Sequence, residues 1–258
     1  MDTFLFSEVI FGPVKSRRLG ISLGINLSPL NFKYCNFDCL YCECGWTLKK
    51  LPPNINFISA DAFFSLLENK LKELIKNSII PDCITFAGNG EPTLHPEFPL
   101  IIEHTVSLRN KYIPGKKIAV LSNSSTLSND DIVKALLKVD VNMLKLDVGL
   151  EESLRLINRA SESINLPDII NNLKKFKGKL IIQSLFIKGT HNDKIVDNTT
   201  DKEIKEWISL LKEISPEEVV IYSISRNTAL DTIYKVSNEI LMNIADRVSK
   251  EGLKVSVF

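Results

Sequence analysis

From residue 57 onward, apolar runs of strand length alternate with helical stretches, and no Pro/Gly/Ser-rich linker or shift of composition interrupts the alternation. The strand-like runs are LGISLGINL (19–27), CITFAG (83–88), KIAVLSN (117–123), NMLKLDVG (142–149), KLIIQSLFIKG (179–189) and EVVIYSIS (218–225), with LKVSVF (253–258) last. Between them, helical patterns are predicted from about Asp61 and over 97–112, 129–139, 151–159, 168–176, 201–213 and 238–251. Ser59 reads as the N-cap of the first, whose apolar face carries Phe63, Leu66, Leu67, Leu71, Leu74 and Ile75, and Ser128 with Asp131 resembles a capping box. Near-continuous apolar strands separated by one-faced helices require a parallel sheet covered by helices, joined by right-handed crossovers. The fold expected is therefore α/β, a partial (β/α)6 TIM-like barrel. Its single domain covers 1–258, with an N-terminal extension (1–18), six βα units (19–225) and a C-terminal helix and strand (226–258). In such architectures ligands gather at the carboxyl ends of the strands.

With 258 residues, 44% of them apolar, the chain has enough apolar mass for a core without disulfides. Lys+Arg at 32 against Asp+Glu at 31 gives a net charge of +1, which supplies no long-range field for nucleic acid or an anionic membrane. No apolar run approaches a membrane span, and the start carries Asp2 in place of a basic leader, so a cytoplasmic location is expected. Of five cysteines, Cys35, Cys39, Cys42 and Cys44 fall within ten residues. A secreted disulfide framework spreads even numbers along the chain; this clustering fits metal ligation better.

Cys35, Cys39 and Cys42 form a C-x3-C-x2-C array with Tyr41 before its last member. Three thiolates on one loop can each bind a different iron of a 4Fe-4S cube, leaving the fourth iron without an obvious protein ligand. Structural zinc needs four ligands, usually as two separated pairs, and the second pair is missing. Cys44 could close a four-Cys site, though its spacing from Cys42 is tight, while Cys83 sits alone on a strand. His95, His104 and His191 are scattered and read as surface or packing residues.

Other chemistry-bearing residues also fall at strand ends. Gly88-Asn89-Gly90-Glu91-Pro92 follows the CITFAG strand, where glycines admit close approach of backbone to a ligand and Glu91 could meet an ammonium group. The sequence alone also permits a plain Gly-Pro turn. Ser122, Asn123, Ser124 and Ser125 form a hydroxyl and amide cluster suited to a ribose or a carboxylate, or to capping the next helix. Lys145 and Asp147 interrupt an apolar strand on one face; a structural ion pair is the alternative to a binding role. Lys15, Arg17 and Arg18 read as a solvated or internally paired basic patch in preference to a phosphate clamp.

The cysteine array together with the Gly-Asn-Gly-Glu-Pro turn resembles the radical S-adenosylmethionine (radical SAM) superfamily. FGPVKSRRLGISLGINLSP, VDNTT and IYSISR are similar to a bacterial and archaeal iron–sulfur subgroup distantly related to wybutosine-synthesis enzymes. The resemblance implies a 4Fe-4S cluster on Cys35, Cys39 and Cys42 and S-adenosylmethionine (SAM) as the second cofactor. It places Gly88, Asn89, Gly90 and Glu91 at the methionyl amine, although Asn89 departs from the usual Gly-Gly-Glu-Pro form. Ser122 and Asn123 become SAM contacts, and Lys145 with Asp147 contacts to its carboxylate or ribose. Gln183 and Ser184 are placed toward adenosine or substrate, and Tyr222 and Ser223 beside adenine. The implied activity is reductive cleavage of SAM to a 5′-deoxyadenosyl radical that abstracts hydrogen from an unknown substrate, with a reductant such as flavodoxin or ferredoxin as partner. A four-Cys electron carrier, a zinc-stabilised interaction module and a tRNA-base-modifying enzyme are the competing readings. Neutral charge and the lack of a basic appendage count against nucleic acid.

Overall fold

In the computed structural model, which describes residues 4–258, Ser59 accepts a hydrogen bond from the Ala62 amide (3.3 Å) and opens α1 (Ala60–Lys76), as its sequence predicts. Asp2, the acidic residue noted at the start, lies outside the described residues. The α1 face buries Phe63, Leu67, Leu71 and Leu74, but Leu66 and Ile75 stay exposed at the edges of the stripe. Ahead of α1 come β1 (Ile10–Ser16) and β2 (Gly20–Ile25), an antiparallel pair. The expected first strand is thus β2, and β1 within the extension is an added edge strand.

The chain continues through β3 (Cys83–Phe86), α2 (Phe98–Tyr112), β4 (Lys117–Ser122), α3 (Asp130–Leu136) and β5 (Val141–Lys145). Helix α3 is shorter than its pattern suggests, and its cap is Asn129, which accepts from the Asp131 amide at 2.9 Å; Ser128 does not cap it. Next are α4 (Glu151–Ser153), running into a wide π turn over Leu154–Asn158, then α5 (Leu166–Leu173), β6 (Ile181–His191) and β7 (Lys194–Asp197). The last elements are α6 (Asp201–Ile214), β8 (Glu218–Ser223), β9 (Ile233–Lys235), α7 (Asn238–Lys250) and β10 (Val255–Val257).

Along the sheet the order is β1-β2-β3-β4-β5-β6-β8-β10, every pair parallel except β1–β2, while β7 and β9 pair antiparallel with the long β6. Each crossover returns beside the preceding strand, so the order never reverses and the sheet curls as an open, partial barrel. Both faces are buried: Leu23, Ile25, Ile84, Phe86, Ile118, Val120, Leu144, Ile182, Val219 and Ile221 on one, Cys83, Ala119, Met143 and Val220 on the other. That burial explains why the strands read as continuous apolar runs. No described helix is long and apolar enough to cross a membrane.

Candidate functional site

The loop between β2 and α1 carries the cysteines, and backbone hydrogen bonds fix it to two other loops. Tyr34 donates to the Asn89 carbonyl (2.9 Å) and accepts from the Glu91 amide (3.0 Å), while the amides of Asp38 and Leu40 donate to Asn158 and Ile157 in the π turn, each at 3.0 Å. Gly90 makes the first contact feasible: at φ +155° a Cβ there would lie 1.8 Å from the Tyr34 carbonyl oxygen. A Cβ on Gly88 would lie 2.3 Å from Asn26 Oδ1. Both glycines thus serve close approach, as expected, but the approaching group is the chain itself.

Cys35, Cys39 and Cys42 open onto one cavity of about 420 Å³ at the carboxyl ends of the strands, together with Tyr41, Gly88, Gly90, Glu91, Ser122, Asn123, Lys145, Gln183, Tyr222 and Ser223. Residues from β3, β4, β5, β6 and β8 or the turns just after them therefore converge with the cysteine loop, as the strand-end rule predicts. Asn89, Asp147 and Ser184 are not on its wall. The Asn89 side chain accepts from the Phe6 amide (2.7 Å) and donates to the carbonyls of Phe6 (2.9 Å) and Pro29 (3.1 Å), so it ties the N-terminal segment down beside the cavity. Ser184 donates to the Leu146 carbonyl.

Asp147 is wholly buried behind the wall. It accepts from the Tyr41 hydroxyl, from Asn158 Nδ2 (2.6 Å) and from the Leu185 amide (2.9 Å), and lies 3.4 Å from Lys145 Nζ. The structural ion pair is the arrangement observed for Asp147, whereas Lys145 reaches the cavity and donates to the Tyr41 hydroxyl at 2.9 Å. Burial works against the Lys145 ammonium, but Asp147, Tyr222 and Cys39 together outweigh it and its pKa is raised. Glu91 is also occupied. Its carboxylate accepts from the Thr93 amide (3.1 Å) and hydroxyl (2.6 Å) and from the Asn123 amide (2.6 Å), joining the β3 and β4 turns. Burial raises the Glu91 pKa despite those donors.

Around the thiols, amide donors point at two of the sulfurs while burial works against their charge. Asn123 Nδ2 lies 3.4 Å from Cys35 Sγ and Asn158 Nδ2 lies 3.5 Å from Cys39 Sγ, both as donors. Burial pushes Cys35 up to about 12 and raises Cys39, while Cys42 is lowered to about 6 by a hydrogen bond from the Cys44 thiol and by Lys33. Lys33 lies beneath the loop, its side chain 2% exposed and 3.1 Å from both Asp38 Oδ1 and the Gly45 carbonyl. Burial opposes its charge, but Cys42, Cys35, Cys39 and Asp38 together raise its pKa. A buried cation and two amide donors beside three thiols are what a thiolate-held cluster requires to balance charge and orient its ligands. Among the described residues no three Cys, His, Asp or Glu side chains converge closely enough to hold a single ion.

Sequence reasoning missed Lys33 and Asn158 as neighbours of the thiols. Lys33 lies two residues before Cys35, but Asn158 carries no local signal, because only the docking of the π turn brings it there. Arg17 and Arg18, read as a solvated or internally paired patch, contact Ser225 and the Tyr222 ring and also line the cavity. His95 is a packing residue, as read: its Nδ1 accepts from the Glu97 amide (3.1 Å) and its Nε2 faces the Ile58 carbonyl (2.9 Å). Cys44 also lines the cavity, with its thiol 3.5 Å from the Gly88 carbonyl.

Comparison with known proteins agrees with this architecture. A family model described as the radical SAM superfamily matches residues 32–211. A UPF0026 protein of Methanocaldococcus jannaschii is 33% identical over 81% of this chain, and the match covers 61% of that protein. A radical SAM methyltransferase from Sphaerobacter thermophilus superposes with a TM-score of 0.67 at 13% identity, over 92% of this chain and 65% of its own. Streptococcus suis SuiB bound to S-adenosylmethionine gives a TM-score of 0.61 at 15% identity, over 92% and 47%. The chain thus spans less than two thirds of each of these proteins. The two structural likenesses establish the fold, and the matched segment contains the cysteine array, the glycine turn and the strand ends through Gln183. On that match the chain belongs to the radical SAM superfamily.

Proposed function

We propose that Cys35, Cys39 and Cys42 hold a 4Fe-4S cluster with one iron left to SAM, and that the protein is an enzyme acting on a substrate admitted to the same cavity. The observation that carries this reading is the convergence of three thiols, the Gly88–Glu91 turn and Lys145 on a single cavity. A cluster held by Cys35, Cys39 and Cys42 would supply one-electron reduction of SAM, and SAM so cleaved to methionine would supply the 5′-deoxyadenosyl group for hydrogen abstraction from the substrate. A reductant such as flavodoxin or ferredoxin supplies the electron.

The chain's own residues bind and orient. Lys33 offsets the thiolate charge, and the Asn123 and Asn158 amides hold the sulfurs of Cys35 and Cys39 by hydrogen bonds. Lys145, braced by Tyr41 and Asp147, presents an ammonium that can receive the methionyl carboxylate. Glu91 acts through the turn it ties to Asn123, and Tyr222, expected beside adenine, lines the same wall with the Arg18 guanidinium over its ring. Phe6, held by Asn89, and Phe4, whose amide donates to the Glu43 carbonyl, line the cavity and restrict water there.

A second reading is favoured by one observation, the presence of Cys44 on the same wall: a four-Cys electron carrier. Anaerobic reconstitution, reduction and assay for 5′-deoxyadenosine separate the two. The enzyme reading expects that product, and expects C44A to retain the cluster while C35A, C39A and C42A lose it. An intact cluster that never cleaves SAM, with iron lost equally in C44A, supports the carrier instead.

A further inference from the structure

We propose that Arg18, assisted by Arg17, recognises a carboxylate or phosphate group on the substrate, so that the molecule acted on is an organic anion. Both residues sit in the turn between β1 and β2, which reaches across to the loop after β8. Arg17 Nη2 lies 3.3 Å from Ser225 Oγ, and the Arg18 guanidinium stacks 5.0 Å from the centre of the Tyr222 ring and 5.9 Å from that of Phe258. Two aromatic faces thereby fix the plane of the fork, and both arginines line the cavity.

Each other cation on that wall has a carboxylate of the chain beside it, Lys33 with Asp38 (3.1 Å), Lys145 with Asp147 (3.4 Å) and Arg226 with Glu43 (2.9 Å). Lys145, which gives donors to Asp147 and Tyr41, keeps its third for the SAM carboxylate of the reading above. Neither Arg17 nor Arg18 has a carboxylate within 4.0 Å among the described residues. Arg18 Nη1 is moreover buried and has no hydrogen-bond partner among them. A buried donor on a cation is costly to leave unmade, and a planar fork matches a carboxylate or phosphate by two parallel hydrogen bonds. A ligand anion completes the arrangement.

The position separates this anion from the one SAM itself carries. Lys145 Nζ lies 5.1 Å from the centre of the Tyr41 ring in the cysteine loop, whereas the Arg18 guanidinium lies over Tyr222 and Phe258 at the β1–β2 turn. Lys145 answers the methionyl carboxylate on the reading above, on which this proposal rests, and Arg18 is left for a second molecule. Lys15, exposed on β1, and Arg17, exposed and hydrogen-bonded to Ser225, match the solvated or internally paired reading of the basic run, and Arg18 departs from it.

The test uses the cluster-loaded full chain under anaerobic conditions, with calorimetric titration of succinate and of inorganic phosphate at constant ionic strength and SAM affinity measured in parallel. Wild-type protein is expected to bind at least one probe, succinate marking a carboxylate reader and phosphate a phosphate reader. R18Q should weaken that binding about 10- to 100-fold, the loss of one charge-assisted bidentate contact, and leave SAM affinity unchanged. R18K should fall between, because a point charge does not reproduce the fork. If R18Q fails to fold, R18K alone decides: weaker anion binding with unchanged SAM affinity supports the proposal, and unchanged anion binding refutes it. Absence of binding of either probe to wild type, equal binding by R18Q, or parallel loss of SAM affinity would each overturn it, the last by assigning Arg18 to SAM. Failure to load a cluster or bind SAM while anion binding persists would sink the cofactor reading alone.

Discussion

Replacing Gly90 by alanine should dislodge the cysteine loop, and the cost can be worked from two neighbouring loops. The new Cβ would stand 1.8 Å from the Tyr34 carbonyl oxygen and 2.5 Å from its carbon, both backbone atoms that cannot rotate aside. Relief requires the loops to part, which forfeits the two hydrogen bonds between Tyr34 and the Asn89–Glu91 turn, about 0.5–1.5 kcal/mol each. A side chain at φ +155° adds about 1–3 kcal/mol of backbone strain. The sum is about 2–6 kcal/mol. Gly115→Ala is the control: its φ is +79°, but a Cβ there meets nothing within 4 Å, so only the backbone penalty remains, about 1 kcal/mol. Urea denaturation of both variants measures the difference, and iron content after reconstitution reads the position of Cys35, which adjoins Tyr34. Equal stability losses in G90A and G115A, with wild-type iron in both, would refute the argument that Gly90 is required by the approach of the cysteine loop.

Three further outcomes follow from the same geometry. Asp147→Asn should destabilise the fold by about 3–5 kcal/mol by stranding the Lys145 ammonium, and the double variant D147N/K145Q should recover part of that loss in a urea double-mutant cycle. Asn89→Ala should release the segment around Phe6, seen as faster amide exchange over residues 4–9, with a stability loss of about 1–3 kcal/mol for the unsatisfied backbone groups; unchanged exchange would contradict the tether. Glu68, hydrogen-bonded by Tyr112, Lys111 and Lys72, is depressed from 4.5 to about 2. A depressed carboxylate stabilises above its unfolded pKa and loses that contribution as pH falls through the folded value. The stability gap between wild type and E68Q should therefore shrink between about pH 4.5 and pH 2, and a gap independent of pH would count against the cluster of donors around Glu68.

What was legible in the sequence is what neighbouring residues encode. Apolar runs and 3.6-residue stripes located the strands and most helices, because burial on both faces of a parallel sheet leaves a continuous apolar signature. Element ends were less secure: Asn129 rather than Ser128 caps α3, since two adjacent polar residues can each cap and only the backbone path chooses between them. The cysteine spacing and the glycine turn marked the right strand ends for the same local reason.

The roles of individual strand-end side chains were decided by tertiary structure. Lys145 and Asp147 look alike as charges in an apolar strand, yet the first reaches the cavity and the second is consumed by Tyr41, Asn158 and Leu185. Asn89 lies between two cavity glycines but turns to Phe6 and Pro29. Arg18 reads as surface charge until the β1–β2 turn lays it across Tyr222. Spacing fixes where along the chain chemistry can occur. Which way each polar group faces depends on partners distant in sequence, because a buried polar atom takes whichever complement the folded chain brings within hydrogen-bonding distance.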